Sequence, residues 1–152
     1  SVREFPAGVT GMDIAKSISE GLARVSLSIE VNGENWDLSR TIEKDSSIKI
    51  FTWNDAGGKY SFWHSSAHLL AEALEALYPG VKFGIGPPIE NGFYYDVDLG
   101  DQVISEKDFK NIEDKMIDIA RGKHDFSIKS VSKADALSKY KDEDISSVLI
   151  PN

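Results

Sequence analysis

The sequence predicts an α+β protein made of two small domains. Segments with the apolar period of a helix alternate with segments in which every second residue is apolar. A turn-rich stretch at residues 55–60 separates these segments into two series. We therefore expect one domain at residues 1–54, a linker at 55–60 and a second domain at 61–152.

The first series predicts a small twisted sheet crossed by one helix. Thr10 is suited to cap a helix that starts near Gly11, and Asn32-Gly33 is typical of a tight hairpin. A helix, a hairpin and a late strand within 54 residues indicate a fold of the β-grasp type. The strands are expected at residues 25–31, 34–38 and 47–53.

The second series predicts a further α+β unit. A helix is expected from Ser61 to Tyr78, where Pro79-Gly80 stops it, and a second helix is expected after the capping sequence that begins at Ser105. The apolar face of the second helix comprises Phe109, Ile112, Met116 and Ile119. Strands are expected at 81–85 and 92–97, joined by Gly86-Pro87-Pro88, and at 126–131, before a short helix from Ser132.

Composition restricts the possible classes of function. The net charge is −8, which argues against a general nucleic-acid-binding protein because such proteins are usually basic. The absence of cysteine excludes disulfides, thiolate zinc sites and a cysteine nucleophile within these residues. No apolar stretch approaches 18 residues, so no membrane span is expected. The start at Ser1 without Met indicates a piece of a longer protein.

Two histidines lie four residues apart on the first predicted helix of the second domain. This spacing places the imidazoles of His64 and His68 on one helix face, away from the leucine stripe and beside two glutamates. The pair can belong to the core, to a solvated face or to a cleft in which it binds a water or a ligand. Zinc would need a third protein ligand, for which His124 is the candidate.

A glycine-rich turn follows the same helix. The run Gly84-Ile85-Gly86-Pro87-Pro88 lacks the spacing of a phosphate loop. It is either a tight connection between strands or a place where the backbone approaches a ligand closely. Tyr94 and Tyr95 would point to opposite faces of a strand, and the pattern does not decide which one lies in the core.

Two strings in the second domain resemble a known family. His64-Ser-Ser-Ala-His-Leu-Leu70 and Ile85-Gly-Pro-Pro-Ile-Glu-Asn-Gly-Phe-Tyr-Tyr-Asp96 are similar to the editing domain of threonyl-tRNA synthetases. Residues 1–54 resemble, less specifically, the TGS domain that opens those enzymes. The resemblance implies a TGS-like β-grasp domain followed by an α+β domain of the editing type.

The resemblance also implies a function and a site. The editing domain hydrolyses serine wrongly attached to threonine tRNA, with His64 and His68 as catalytic residues and Gly86 and Tyr95 as substrate-binding residues. No metal or other cofactor is implied for this part of the chain, since ATP and zinc are expected only in the catalytic core, which these residues do not include. The implied partner is the acceptor end of tRNA(Thr), in a cytoplasmic enzyme that forms a homodimer, whereas this fragment is expected to be a monomer.

The chain departs from the family pattern at one point. The family site is completed by a Cys and a further His in a Cys-Arg-Gly-Pro-His type motif, and neither the Cys nor this string is present. The resemblance therefore implies an incomplete editing domain with weak or no activity by itself. Two other interpretations stay open: a TGS-containing module that binds a partner or RNA without catalysis, and a small metal-binding protein.

Overall fold

The computed structural model describes residues 2–122, 131–132 and 134–135. The chain divides into two compact units, residues 1–63 and 64–152. Both combine helices and strands, in agreement with the predicted α+β class. Within the described part of the chain, no helix is long and apolar enough to cross a membrane.

The first unit is built from two antiparallel sheets and two short helices. A three-stranded sheet has the order β3-β2-β5, and β1 pairs with β4 in a separate two-stranded sheet. The core of the unit lies where Ile14 packs against Ile29, Val31 and Ile42. The elements are β1 (Val9–Thr10), α1 (Gly11–Ile18), α2 (Glu20–Val25), β2 (Ser26–Val31), β3 (Glu34–Trp36), β4 (Thr41–Ile42) and β5 (Ile48–Thr52).

Local sequence signals placed two features of this unit correctly. Thr10 caps α1, because its hydroxyl accepts a 3.2 Å hydrogen bond from the Asp13 amide while the Asp13 carboxylate bonds back to the Thr10 amide. The hairpin between β2 and β3 has positive φ at both Asn32 (52°) and Gly33 (89°), as its turn type requires. The sequence did not reveal α2 or the two-residue strands β1 and β4.

The prediction of a linker without regular structure at residues 55–60 is wrong, because most of these residues are helical. Helix α3 (Ala56–Leu77) begins five residues before the predicted start at Ser61. The two glycines that indicated a flexible linker allow close packing instead: a Cβ on Gly57 would lie 2.5 Å from Cδ2 of Phe51, and one on Gly58 would lie 2.8 Å from the carbonyl carbon of Thr52. The first turn of α3 therefore lies directly on β5, and the two compact units divide at residue 63 rather than at 55–60.

The second unit is centred on the packing of Leu74 in α3 against Phe83 and Ile112. The predicted strands are shorter than expected, and the region holds two separate antiparallel pairs, β6 with β9 and β7 with β8. Gly86 and Pro87 therefore connect a strand of one pair to a strand of the other pair. They do not join two strands that pair with each other. The further elements are β6 (Lys82–Phe83), β7 (Pro88–Ile89), β8 (Gly92–Phe93), β9 (Val97–Asp98) and α4 (Glu106–Arg121).

The capping sequence of α4 is confirmed. The amide and the hydroxyl of Ser105 both donate to the Asp108 carboxylate at 2.8 Å. Ile112 is buried, but Phe109 at the start of the predicted apolar face is 53% exposed. Ser132 accepts a 3.1 Å hydrogen bond from the Asp135 amide, as expected for a helix cap. Most of the strand predicted at 126–131, like His124, lies outside the described residues.

Candidate functional site

The histidine pair is carried by α3, whose first turn is tied to the sheet of the first unit. The side-chain amide of Asn35 donates to the carbonyl oxygen of Gly57 and to the hydroxyl oxygen of Ser61, both at 3.0 Å. The carboxylate of Asp55, just before the helix, accepts a 3.0 Å hydrogen bond from the Thr52 amide and pairs with Lys49 at 3.0 Å. These bonds fix where α3 begins.

His64 and His68 stack on each other. Their ring centroids are 4.8 Å apart and the ring planes are inclined by 27°, as i, i+4 spacing on a helix allows. His64 is half-buried and His68 is exposed, whereas Ala73 and Leu74 on the leucine stripe are buried. The pair therefore lies outside the leucine core, which excludes the interpretation as core histidines.

The surroundings of His68 favour its neutral form. Desolvation and, secondly, the charge of neighbouring His64 lower the pKa of His68 below its usual range. A neutral imidazole has one nitrogen that donates and one that accepts, so each ring can hold a water or a hydroxyl group.

The structure also brings Gly86 and Tyr95 together. The ring of Tyr95 lies on the backbone of Gly86, and a Cβ at position 86 would come within 2.9 Å of Cγ of Tyr95. Any side chain at position 86 would therefore displace the tyrosine ring. Glycine is required here for close approach rather than for backbone flexibility, since Gly86 is not among the glycines with positive φ.

The two neighbouring tyrosines have different environments. Tyr95 is half-buried against the core of the second unit and meets Phe83 edge-on, with ring centroids 5.5 Å apart. Burial raises the pKa of its hydroxyl, which is a hydrogen-bond donor at neutral pH as any tyrosine is. Tyr94 is 46% exposed. Sequence reasoning missed Phe83 as the support of Tyr95; its position in an alternating apolar segment was the available signal.

No metal centre is formed by the described residues. Among residues 2–122, 131–132 and 134–135, no group of three or more His, Asp or Glu side chains could hold a metal ion. The candidate third ligand, His124, lies outside that part of the chain. The described geometry therefore gives no support to a metal-binding protein.

In chemical terms, the second unit offers two features: a pair of imidazoles on α3 and a tyrosine ring held against a glycine backbone. Each imidazole can accept a proton from a water, and the Tyr95 ring provides an apolar wall. These groups suit a reaction in which water is oriented and activated. They do not provide a nucleophilic side chain of the serine or cysteine type.

The first unit is similar to a TGS domain. The model of the TGS domain family matches residues 1–52, which include every element from β1 to β5. The chain thus resembles proteins that carry a TGS domain over its first unit, which is followed here by a helix with a stacked histidine pair.

The whole chain matches an N-terminal fragment of threonine–tRNA ligases. It is 59% identical to the threonine–tRNA ligase of Cytophaga hutchinsonii over 143 residues, which are 94% of this chain and 22% of that protein. It is 53% identical to the threonine–tRNA ligase of Flavobacterium johnsoniae over 152 residues, 100% of this chain and 24% of that protein. The chain thus spans less than a quarter of the length of these curated relatives.

Proposed function

We propose that this chain is the N-terminal part of a threonine–tRNA ligase and that its second unit carries an editing site for serine attached to tRNA(Thr). The observation that supports the proposal best is the stacked pair His64–His68 on α3, in which the pKa of His68 is lowered. The similarity to threonine–tRNA ligases supports the substrate class. The proposed substrate is therefore an aminoacyl ester on the terminal ribose of the tRNA.

The proposed reaction is hydrolysis of that ester. The oxygen of a water attacks the carbonyl carbon of the serine ester, and the bond between this carbon and the ribose oxygen breaks. One proton of the water passes to the departing ribose oxygen, so that free serine and uncharged tRNA result. In this proposal His68 accepts a hydrogen bond from the attacking water, and His64 orients the ribose.

A separate hydrolytic site is needed because serine and threonine differ by one methyl group. A missing methyl group is worth only about 1–3 kcal/mol of discrimination, which is too little for accurate protein synthesis. A second site can exclude the larger amino acid by its size. We propose that the wall formed by Gly86 and Tyr95 limits that site.

The remaining parts of the proposal concern the complete enzyme. The partner is the acceptor end of tRNA(Thr), the compartment is the cytoplasm, and the complete protein is a homodimer although this fragment alone is a monomer. The hydrolysis uses water and no cofactor of this chain; ATP and zinc belong to the aminoacylation core. The second unit of this chain is an editing-type domain that needs a later Cys and His segment for full activity.

The decisive experiment measures hydrolysis of seryl-tRNA(Thr) by the complete ligase. We expect His68→Ala to lower the rate by about 10²-fold or more, because a positioned proton acceptor contributes at least this much. His64→Ala should lower it by about 10²-fold, because misplacing the reacting group costs about this much. Threonyl-tRNA(Thr) serves as the counter-substrate and should be hydrolysed slowly by every variant. Aminoacylation with threonine should be unchanged.

The matched control is Ser65→Ala, which replaces the exposed residue next to His64, about 100° around the helix. This variant should keep the full rate of serine hydrolysis. If both histidine variants hydrolyse seryl-tRNA(Thr) at the rate of the control, the histidine pair is not an editing site. The alternative, a TGS module that binds a partner or RNA without catalysis, would then be preferred.

A further inference from the structure

Phe83 is the buried neighbour of the Tyr95 ring. It lies in β6 opposite Val97 of β9, and Tyr95 comes two residues before Val97. Side chains in this relation are diagonal neighbours on one face of a strand pair. The two ring planes are inclined by 72°, so the edge of one ring meets the face of the other. Phe83 is only 8% exposed, whereas Tyr95 is half-buried.

The backbone next to Tyr95 is fixed by hydrogen bonds. The Gly84 amide donates to the Asp96 carbonyl at 2.7 Å, and the Asp96 amide donates to the Ile85 carbonyl at 2.9 Å. Gly84 and Ile85 thus both face Asp96, which is the arrangement of a β-bulge. The resulting shift by one residue brings Gly86 opposite Tyr95, where its backbone contacts the tyrosine ring.

Phe83 also connects the tyrosine to the helix that carries the histidine pair. Phe83 belongs to the same buried cluster as Leu74 of α3 and Ile112 of α4, and Tyr95 packs against this cluster. Leu74 lies on the same helix as the two histidines. Because a close-packed core transmits displacements, the position of the Tyr95 ring relative to α3 depends on the side chain at position 83.

We propose that Phe83 is a positioning residue of the editing site and determines how strictly that site excludes threonine. Phe83 need not touch the substrate, because it acts through the ring of Tyr95. This inference rests on the proposed editing function, in which Gly86 and Tyr95 limit the size of the site.

Replacing Phe83 by leucine shows how this control would work. Leucine keeps an apolar side chain in the core but removes the ring that meets Tyr95. A smaller buried side chain leaves space that the surroundings fill only in part. The Gly86 backbone cannot turn aside, so the Tyr95 ring would move into the space that Phe83 leaves. The wall would then no longer be held at one place, and the site would admit the additional methyl group of threonine.

The test compares hydrolysis of seryl-tRNA(Thr) and threonyl-tRNA(Thr) by the complete ligase and by its Phe83→Leu variant. One methyl group is worth about 10–200-fold in selectivity, so we expect the ratio of the two kcat/KM values to fall by about tenfold or more. The fall should come from faster hydrolysis of threonyl-tRNA(Thr), because the histidines keep their places on α3. A general loss of activity would lower both rates and leave the ratio unchanged.

Ile112→Val is the matched control for loosening of the core. Ile112 is 7% exposed and belongs to the same cluster, but its side chain is aliphatic and lies on α4. This variant should lower the thermal stability of the second unit and keep the wild-type ratio. Phe83→Met is the second test variant, because methionine also lacks the ring but adapts to an irregular space. It keeps the test decisive if Phe83→Leu does not fold.

Three results would overturn the inference. Folded Phe83 variants that keep the wild-type ratio would show that selectivity does not depend on Phe83. An equal fall of the ratio in Ile112→Val would show that any loosening of the core relaxes the site. A wild-type ligase that does not hydrolyse seryl-tRNA(Thr) would refute the proposed function and this inference with it. In the first two results the wild-type enzyme still prefers serine, so the two kinds of failure are distinguishable.

Discussion

The substitution Gly58→Ala tests whether the start of α3 is placed by contact with the sheet. Helix propensity alone favours alanine over glycine by about 1 kcal/mol at most in the first turn. The structure opposes this gain, because the new Cβ would lie 2.8 Å from the carbonyl carbon of Thr52. Ordinary contact begins at 3.4 Å, so the helix and β5 must separate by at least 0.6 Å (3.4 − 2.8).

The magnitude follows from the two opposing effects. Overpacking of this kind costs about 1–3 kcal/mol, and the obstacle here is backbone, which cannot turn aside as a side chain can. Subtracting the propensity gain from the upper value for overpacking leaves a net loss of about 2 kcal/mol in the free energy of unfolding. For a unit of this size, that loss lowers Tm by about 10 °C.

Tryptophan fluorescence is a suitable assay, because Trp36, Trp53 and Trp63 all lie in the first unit. Thermal unfolding followed by fluorescence therefore reports on the unit that contains the contact. Gly21→Ala is the matched control: it is also a helical glycine, and the nearest atom to its new Cβ is the Ser19 hydroxyl at 3.8 Å. We expect Tm of the control to be unchanged or slightly raised. A Gly58→Ala protein that melts at or above the wild-type Tm would refute the reasoning.

Two further predictions concern the second unit. Gly86→Ala should destabilise it by about 1–3 kcal/mol, because the new Cβ meets the Tyr95 ring. The double variant Gly86→Ala/Tyr95→Ala should lose less free energy of unfolding, measured by circular-dichroism melts, than the two single variants lose together. Strict additivity would contradict the contact. Folding lowers the pKa of His68, so the unfolded chain binds more protons below pH 6.5, and stability should fall as the pH drops from 7 to 5. His68→Gln should make this decline shallower, and identical pH profiles would argue against the shift.

Features set by neighbouring residues in the sequence could be predicted correctly. The cap at Thr10 and the turn at Asn32-Gly33 depend on bonds and backbone angles within a few residues, and both are present as expected. The spacing of His64 and His68 likewise determines their stacking, because the helix alone brings them together. Their roles in catalysis stay predictions.

Features that depend on distant contacts could not be predicted. Gly57 and Gly58 have the composition of a linker, and only their contacts with Phe51 and Thr52 show that they are packing positions. The alternation of Tyr94 and Tyr95 left two possibilities, which the contact between Tyr95 and Phe83 decides. The strands β1 and β4 have two residues each, too few for a period to be recognised.

The glycine-rich start of α3 has a consequence for the order of folding. Its first turn has low intrinsic helicity, because glycine loses more backbone entropy than any other residue on becoming helical. The carbonyl of Gly57 is held by Asn35 of β3, and this contact exists only after the hairpin has formed. We therefore expect the first turn of α3 to form late, after β2, β3 and β5 have paired, while the leucine-rich remainder of the helix can nucleate independently.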